Sequence, residues 1–232
     1  MDVNMRNRAQ AVGLGFLAGY VDTLGFIALF GLFTAHVTGN FILIGAALAD
    51  PSKTSILLKF LAFPAFIIGI AAARVLIGQA QQRNWPALAL ALWLQLLLLA
   101  GFMACGLLAA PIGTDVTPYA MAAGLLGTAA MGAHSATSRL LLAHLAPTSM
   151  MTGNVTQIVI DTVDAIGGKA DSALAERCAK FFWPLAAFGT GAIVAAFAYL
   201  AFGFVALGVP IAILLALIVL DRAGARQPGA AV

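Results

Sequence analysis

Six runs of about 20 predominantly apolar residues dominate this chain, at roughly 11–33, 55–78, 86–109, 118–142, 179–200 and 202–220. Wound as helices at about 1.5 Å per residue, runs of this length cover the ~30 Å hydrocarbon core of a bilayer. Hydrocarbon offers no hydrogen bonds, so each backbone N–H and C=O must be bonded internally, which a helix does within one segment. The runs are too long for barrel strands. Composition agrees: 62% of the 232 residues are hydrophobic and 9% charged, against about a quarter charged in a soluble domain. An all-α membrane protein with six transmembrane helices and no soluble domain is expected. The first run follows Arg6 and Arg8 as a signal peptide would, yet it is too long, contains Asp22 and lacks a small-residue cleavage site. An uncleaved first helix is the better reading.

Two further apolar pieces are too short to cross. One runs from Thr38 to Leu48 and stops at Asp50-Pro51-Ser52-Lys53; the other begins at Thr152 and runs into Asp161 and Asp164. Each spans about 10–15 Å, half the hydrocarbon thickness, and reads as a re-entrant half-helix. Both open on the triplet Thr-Gly-Asn, which points to an internal repeat. Gly15 and Gly19 align with Thr128 and Gly132, and Pro64 followed by Gly69 aligns with Pro184 followed by Gly189. Residues 1–111 and 112–232 then form two halves, each ordered span, half-helix, span, span. Three crossings per half is an odd number, so the second half enters the membrane upside-down and an inverted 3+3 repeat follows.

Basic residues fit that topology. With both termini in the cytoplasm, Arg6, Arg8, Arg74, Arg83, Arg139, Lys169, Arg177, Lys180, Arg222 and Arg226 lie inside, leaving Lys53 and Lys59 outside. If both short pieces crossed, eight spans would put nine of the 12 basic residues inside, so length is what favours re-entry. The net charge of +3 reflects these loop charges and implies no nucleic acid partner. Cys105 and Cys178 make no disulfide framework or metal site.

The triplets carry the first candidate chemistry. At a half-helix tip, Thr caps orphan N–H groups, Gly permits close backbone approach, and Asn supplies donors and an acceptor. Such a tip bears roughly half a positive charge, and broken helices in inverted repeats gather near the midplane as a substrate or ion site. Thr38, Gly39, Asn40, Thr152, Gly153 and Asn154 are expected to meet there; in the plainer reading, Asn40 and Asn154 bond each other and lock two segments. Asp22, at the centre of the first span, costs about 2.5–3.5 kcal/mol to insert and should face the interior. It is either a protonatable group in a pathway or a hydrogen-bonding strut. Its repeat counterpart is Ser135, with His134 adjacent as a relay or an interhelical bond. Arg139 could attract an anion, Gln95 should bond between helices, and His36 precedes the first triplet.

The stretch Gly19-Tyr20-Val21-Asp22 followed by Thr34-Ala35-His36-Val37-Thr38-Gly39-Asn40 resembles the YoaK-type family of bacterial membrane proteins, a domain of unknown function, over residues 11 to about 220. Met150 to Asn154 fits the same pattern. The resemblance implies a six-span protein of the bacterial cytoplasmic membrane, loosely labelled a permease, with no substrate to carry over. From the residues themselves, a transporter or channel for a small solute is expected, its substrate an anion or proton-coupled. The rival is a membrane accessory subunit whose polar centre only holds helices together. No catalytic motif, metal site or cofactor is expected. The partners are the lipid bilayer, a small molecule or ion, and a second copy in a homo-oligomer.

Overall fold

The computed structural model describes residues 3–49, 55–169 and 173–225. Among them the fold is all helix: α1 (Val3–Ala28), α2 (Gly39–Ala49), α3 (Ile56–Gln82), α4 (Ala87–Ala109), α5 (Pro118–Leu141), α6 (Met151–Asp164), α7 (Leu174–Phe202) and α8 (Gly208–Ala225). A π-helical turn, Ala165–Lys169, follows α6, and a 3-10 turn, Gly203–Leu207, separates α7 from α8. Gly203 has φ 56° and ψ −139°, a region open essentially to glycine, which is why two apolar helices can part there. Asp50, Pro51, Ser52 and Lys53, expected to end the first half-helix and lie outside, fall outside the described residues, as do Asp171 and Arg226.

Among the described residues, four stretches are long and apolar enough to cross a membrane: Asn4–Ala28, Ile56–Gln82, Ala87–Ala109 and Leu174–Ala223. The last contains both α7 and α8. The chain is a multi-pass membrane protein. The expected span at 118–142 does form a helix, α5, but it is not one of the four. It is rich in Ala, Gly, Ser and Thr, and its residues from Gly127 to Ser138 are mostly buried. A helix enclosed by protein has no need of large apolar side chains facing lipid.

The most extensive contacts are α1 against α7, α3 against α5, and α4 against α5. Glycine makes the first two possible. A Cβ on Gly19 would lie 2.1 Å from the Phe188 carbonyl oxygen, and one on Gly191 2.2 Å from that of Phe16. Across α3 and α5 the pattern returns: a Cβ on Gly132 would collide with the Phe66 carbonyl oxygen, and one on Gly69 with that of Ala129. The offset from Gly19 to Gly132 also carries Phe16 to Ala129, and the offset from Phe66 to Phe188 carries Gly69 to Gly191. Gly69 is thus matched in packing by Gly191. Gly189, the partner expected from its spacing to Pro184, is exposed with nothing within 4 Å of a Cβ. Two residues along a helix turn the side chain by about 200°, from the interface to the outside.

Several contacts fix how the helices run. Lys59, in the first turns of α3, donates to the Phe30 carbonyl just past α1 at 2.7 Å, and to Ser55 Oγ at 2.6 Å. The ammonium therefore neutralises the negative end of α1, and the end of α1 and the start of α3 lie together. Leu29, Leu32 and Leu58 converge on Gly124, early in α5. At the other end of the bundle, His144, just after α5, reaches Asn7 in α1 at 3.4 Å. α1 and α5 accordingly run antiparallel.

Gly19→Ala should force α1 and α7 apart and cost about 1–3 kcal/mol, as overpacking of a tight interface does. Gly189→Ala should be neutral or raise stability by about 0.5–1 kcal/mol, because alanine favours helix. Thermal unfolding of the two variants in detergent measures the difference; equal midpoints would contradict the interface.

Candidate functional site

Past α1 the chain turns through Phe30 and Gly31, at φ 55° and 71°, and doubles back along the helix it has left. Asp22 holds it there. Oδ1 of the buried carboxylate accepts from Thr34 N and Ala35 N, both at 2.7 Å, and from Thr34 Oγ1 at 3.3 Å. Oδ2 lies 2.6 Å from His36 Nδ1. A charge this buried needs such partners, and residues 34–36 supply all of them. The loop is pinned beside Asp22, about 9 Å back from the end of α1, and α2 starts at that depth.

Asn40 adds a second clasp. Its Nδ2 donates to the Phe33 carbonyl at 2.8 Å, and its Oδ1 accepts from Phe33 N at 3.0 Å. Gly39 lets α2 lie on the Phe33 ring, 3.1 Å from the position of a Cβ. Thr38 is exposed and its hydroxyl makes no hydrogen bond among the described residues. The expected threonine cap is not how this helix begins. The N–H groups of Gly39, Asn40 and Phe41 bond instead to the carbonyls of His36, Val37 and Thr38.

The second triplet uses the same geometry without the returning bond to its amide oxygen, and its Nδ2 also reaches Met151 Sδ at 3.3 Å. Asn154 Nδ2 donates to the Pro147 carbonyl at 2.9 Å, in the same seven-residue relation as Asn40 to Phe33. Proline has no N–H to return, so Asn154 Oδ1 is buried without a partner. α6 begins at Met151, with Met150 at the cap position making no side-chain capping bond, so Thr152 falls inside the helix. Gly153 is exposed with open space around it.

Where Asp22 meets Thr34 in the first half, a neutral chain of bonds meets Thr148 in the second. Gln95 Nε2 lies 3.2 Å from His134 Nδ1, His134 Nε2 3.0 Å from Thr148 Oγ1, and Thr148 Oγ1 3.4 Å from Ser138 Oγ. An amide N–H can only donate, so Nδ1 accepts and Nε2 carries the ring proton. Gln95 Oε1 is left unpaired. His134 and Gln95 thus form the expected interhelical bond, and Ser135 takes no part in it.

A cavity of about 640 Å³ opens beside the tip of α2. Asp22, Thr23, His36 and Thr38 supply its polar lining; Phe33, Ile42 and Phe188 are among its apolar walls. The structure thus brings Asp22, Thr38 and Gly39 to one cavity. Thr152, Gly153, Asn154 and His134 are not among the residues lining it. No hydrogen bond joins Asn40 to Asn154; each amide turns back onto its own loop. His36 is the residue that sequence reasoning left aside. Its side chain is 39% exposed, with the rings of Phe33 and Phe188 edge-on at 6.3 and 5.7 Å. The spacing from Asp22 offered no local signal, because the pairing exists only once the loop has folded back.

His36 lies in this loop, outside the helices. Its hydrogen bond to Asp22 raises its pKa above the ordinary 6.5, partial burial opposes this, and the carboxylate charge adds to the rise. The charged pair's stabilisation should be complete below about pH 6.5 and fade as pH rises through the higher folded value. Thermal midpoints across that range should fall for the native chain and stay flatter for His36→Gln; parallel curves would remove the pair from the stability account. Pro147→Ala restores an N–H opposite Asn154 Oδ1 and should gain about 1 kcal/mol where Asn154→Ala loses it, measured by thermal unfolding. A loss with Pro147→Ala equal to that with Asn154→Ala would contradict the unpaired-oxygen account.

Three comparisons bear on identity. The model of the family described as "Protein of unknown function (DUF1275)" matches residues 10–220. Among curated proteins the chain is similar to the UPF0700 transmembrane protein YoaK of Bacillus subtilis (strain 168), 35% identical over 69 residues. That alignment spans 30% of this chain and 31% of the relative, about a third of each. No solved structure matches the chain.

Proposed function

The chain belongs to the DUF1275 family, as the motifs around Asp22 and Asn40 implied, and for this member we propose transport of a small solute, as a secondary transporter or channel, through the cavity at the tip of α2. One observation carries the reading: a buried carboxylate holds a half-exposed imidazole against an open cavity of about 640 Å³ beside the tip of α2. Ionisable groups at membrane depth are costly and mark pathways more often than they serve as filler.

The contacts support six crossings with re-entrant α2 and α6. Lys59 against Phe30 brings the end of α1 and the start of α3 together, which supports a segment containing α2 that leaves and returns on one side. The antiparallel run of α1 and α5, marked by His144 at Asn7 and by Leu29 at Gly124, favours halves of opposite orientation divided near residue 111. The charge distribution adds a cytoplasmic location for both termini.

A specific observation favours the accessory-subunit reading as well. Both oxygens of Asp22 are fully used in holding the loop, which is what a strut requires. Uptake of a solute panel into proteoliposomes separates the two: saturable flux lost on narrowing the cavity with Gly39→Val supports transport, and no flux of any solute favours the accessory role. Topology has its own test in a variant with Cys105 and Cys178 replaced. Asn84→Cys should label from the inside and Asp115→Cys from the outside. Eight crossings would reverse both.

A further inference from the structure

The free polar atoms of the α2 cavity define what it can hold. Asp22 contributes little, because Oδ1 already takes three donors and Oδ2 faces His36. His36 Nδ1 is likewise engaged, leaving Nε2 as the ring nitrogen open to a ligand. The hydroxyls of Thr23 and Thr38 make no hydrogen bond among the described residues. The remaining walls are apolar: Phe33, Ile42 and Phe188. A ligand therefore meets hydrogen-bond donors at one end and hydrocarbon at the other, and the Asp22 carboxylate is already bonded to four donors from residues 34–36.

Resting on the transport reading of this same site, we propose that the cavity binds a small monocarboxylate or similar weak-acid anion with an apolar body. The anionic group accepts from His36 Nε2–H and from the Thr23 and Thr38 hydroxyls, and the apolar body lies between Phe33 and Phe188. The imidazolium carries the positive charge that the anion needs, while Asp22 retains the Nδ1 proton and keeps the ring oriented. The step also balances as a proton transfer. Nε2–H gives its proton to the bound anion, leaving a neutral acid and a neutral imidazole, and the reverse reloads the site. Asp22 is the charged group in contact with His36. α2 has no ionisable residue from Gly39 to Ala49, and Glu176, Arg177 and Lys180 of α7 lie about 12 Å or more along the helix from Phe188. Binding should then follow the protonation of His36 alone.

The test uses the full chain in lipid nanodiscs, with empty nanodiscs correcting for partition into lipid. Benzoate, benzyl alcohol and benzylamine are the probes: one apolar body bearing an anionic, a neutral and a cationic head. Titration calorimetry at about pH 6 should show benzoate bound and benzylamine not, with benzoate weakened about tenfold at about pH 9. Benzoate stays ionised at both values, so the protein supplies the change. His36→Gln should weaken benzoate at pH 6 and abolish the pH dependence. Thr38→Val, at an exposed position unlikely to unfold the chain, should weaken benzoate several-fold. Benzylamine binding as tightly as benzoate, or benzoate affinity indifferent to pH and to both variants, overturns the proposal. Proteoliposome uptake distinguishes the two readings: benzoate bound but not transported removes transport and keeps the site. Saturable uptake of other solutes without benzoate binding keeps transport and removes the weak-acid site.

Discussion

The Asp22 carboxylate organises the half of the molecule around it. A charged group inside a membrane protein persists only where enough donors surround it, and here the donors come from a loop twelve to fourteen residues further along. Meeting that requirement turns the chain back on α1, starts α2 beside Asp22, and leaves His36 on the wall of a cavity. Removing the carboxylate would strand two backbone N–H groups and an imidazole at once, so folding and the chemistry of the cavity rest on the same four contacts.

The second half solves the same problem with neutral groups. His134 and Ser138 bond Thr148, with Gln95 of the first half behind His134, where Asp22 bonds both Thr34 and His36. The cost of burying polarity is lower without charge, but two amide oxygens go unpaired, those of Gln95 and Asn154. Packing, by contrast, is closely matched between the halves. In lipid, helices associate through van der Waals contact rather than the hydrophobic effect, and each half offers a glycine to a carbonyl of the other, as Gly19 does to Phe188 and Gly69 to Ala129. The pairs α1 with α7 and α3 with α5 thereby interlock residues 1–111 with 112–232.

Much of this was legible in the sequence, for identifiable reasons. Long apolar runs fix long helices because hydrocarbon permits little else, so α3, α4 and α7 lie close to where hydropathy put them, while α1 ends at Ala28 instead of 33 and α8 starts at Gly208 instead of 202. The short pieces at Thr38 and Thr152 became short helices because polar residues flank them. What depends on the face of a helix was not legible: Gly189 and Gly191 differ in sequence by one residue between them and in structure by half a turn. Nor did local rules foresee that Thr38 would leave the start of α2 to backbone carbonyls, that Thr152 would fall inside α6, or that His36 would be Asp22's partner. The inequality of Asn40 and Asn154, however, is written in the chain, since Phe33 has an N–H where Pro147 has none.

The central claim is that α2 enters the membrane interior at its Thr38 end and returns towards the side it came from. Electron paramagnetic resonance measures this directly, through the collision-accessibility depth of spin labels placed singly at positions 38, 42, 45 and 48 in a cysteine-free chain reconstituted in bilayers. A re-entrant α2 pinned by Asp22 predicts the greatest depth at position 38 and a steady decrease towards position 48. Greatest depth in the middle of the series, with both ends near opposite surfaces, would make α2 a crossing helix and contradict the account.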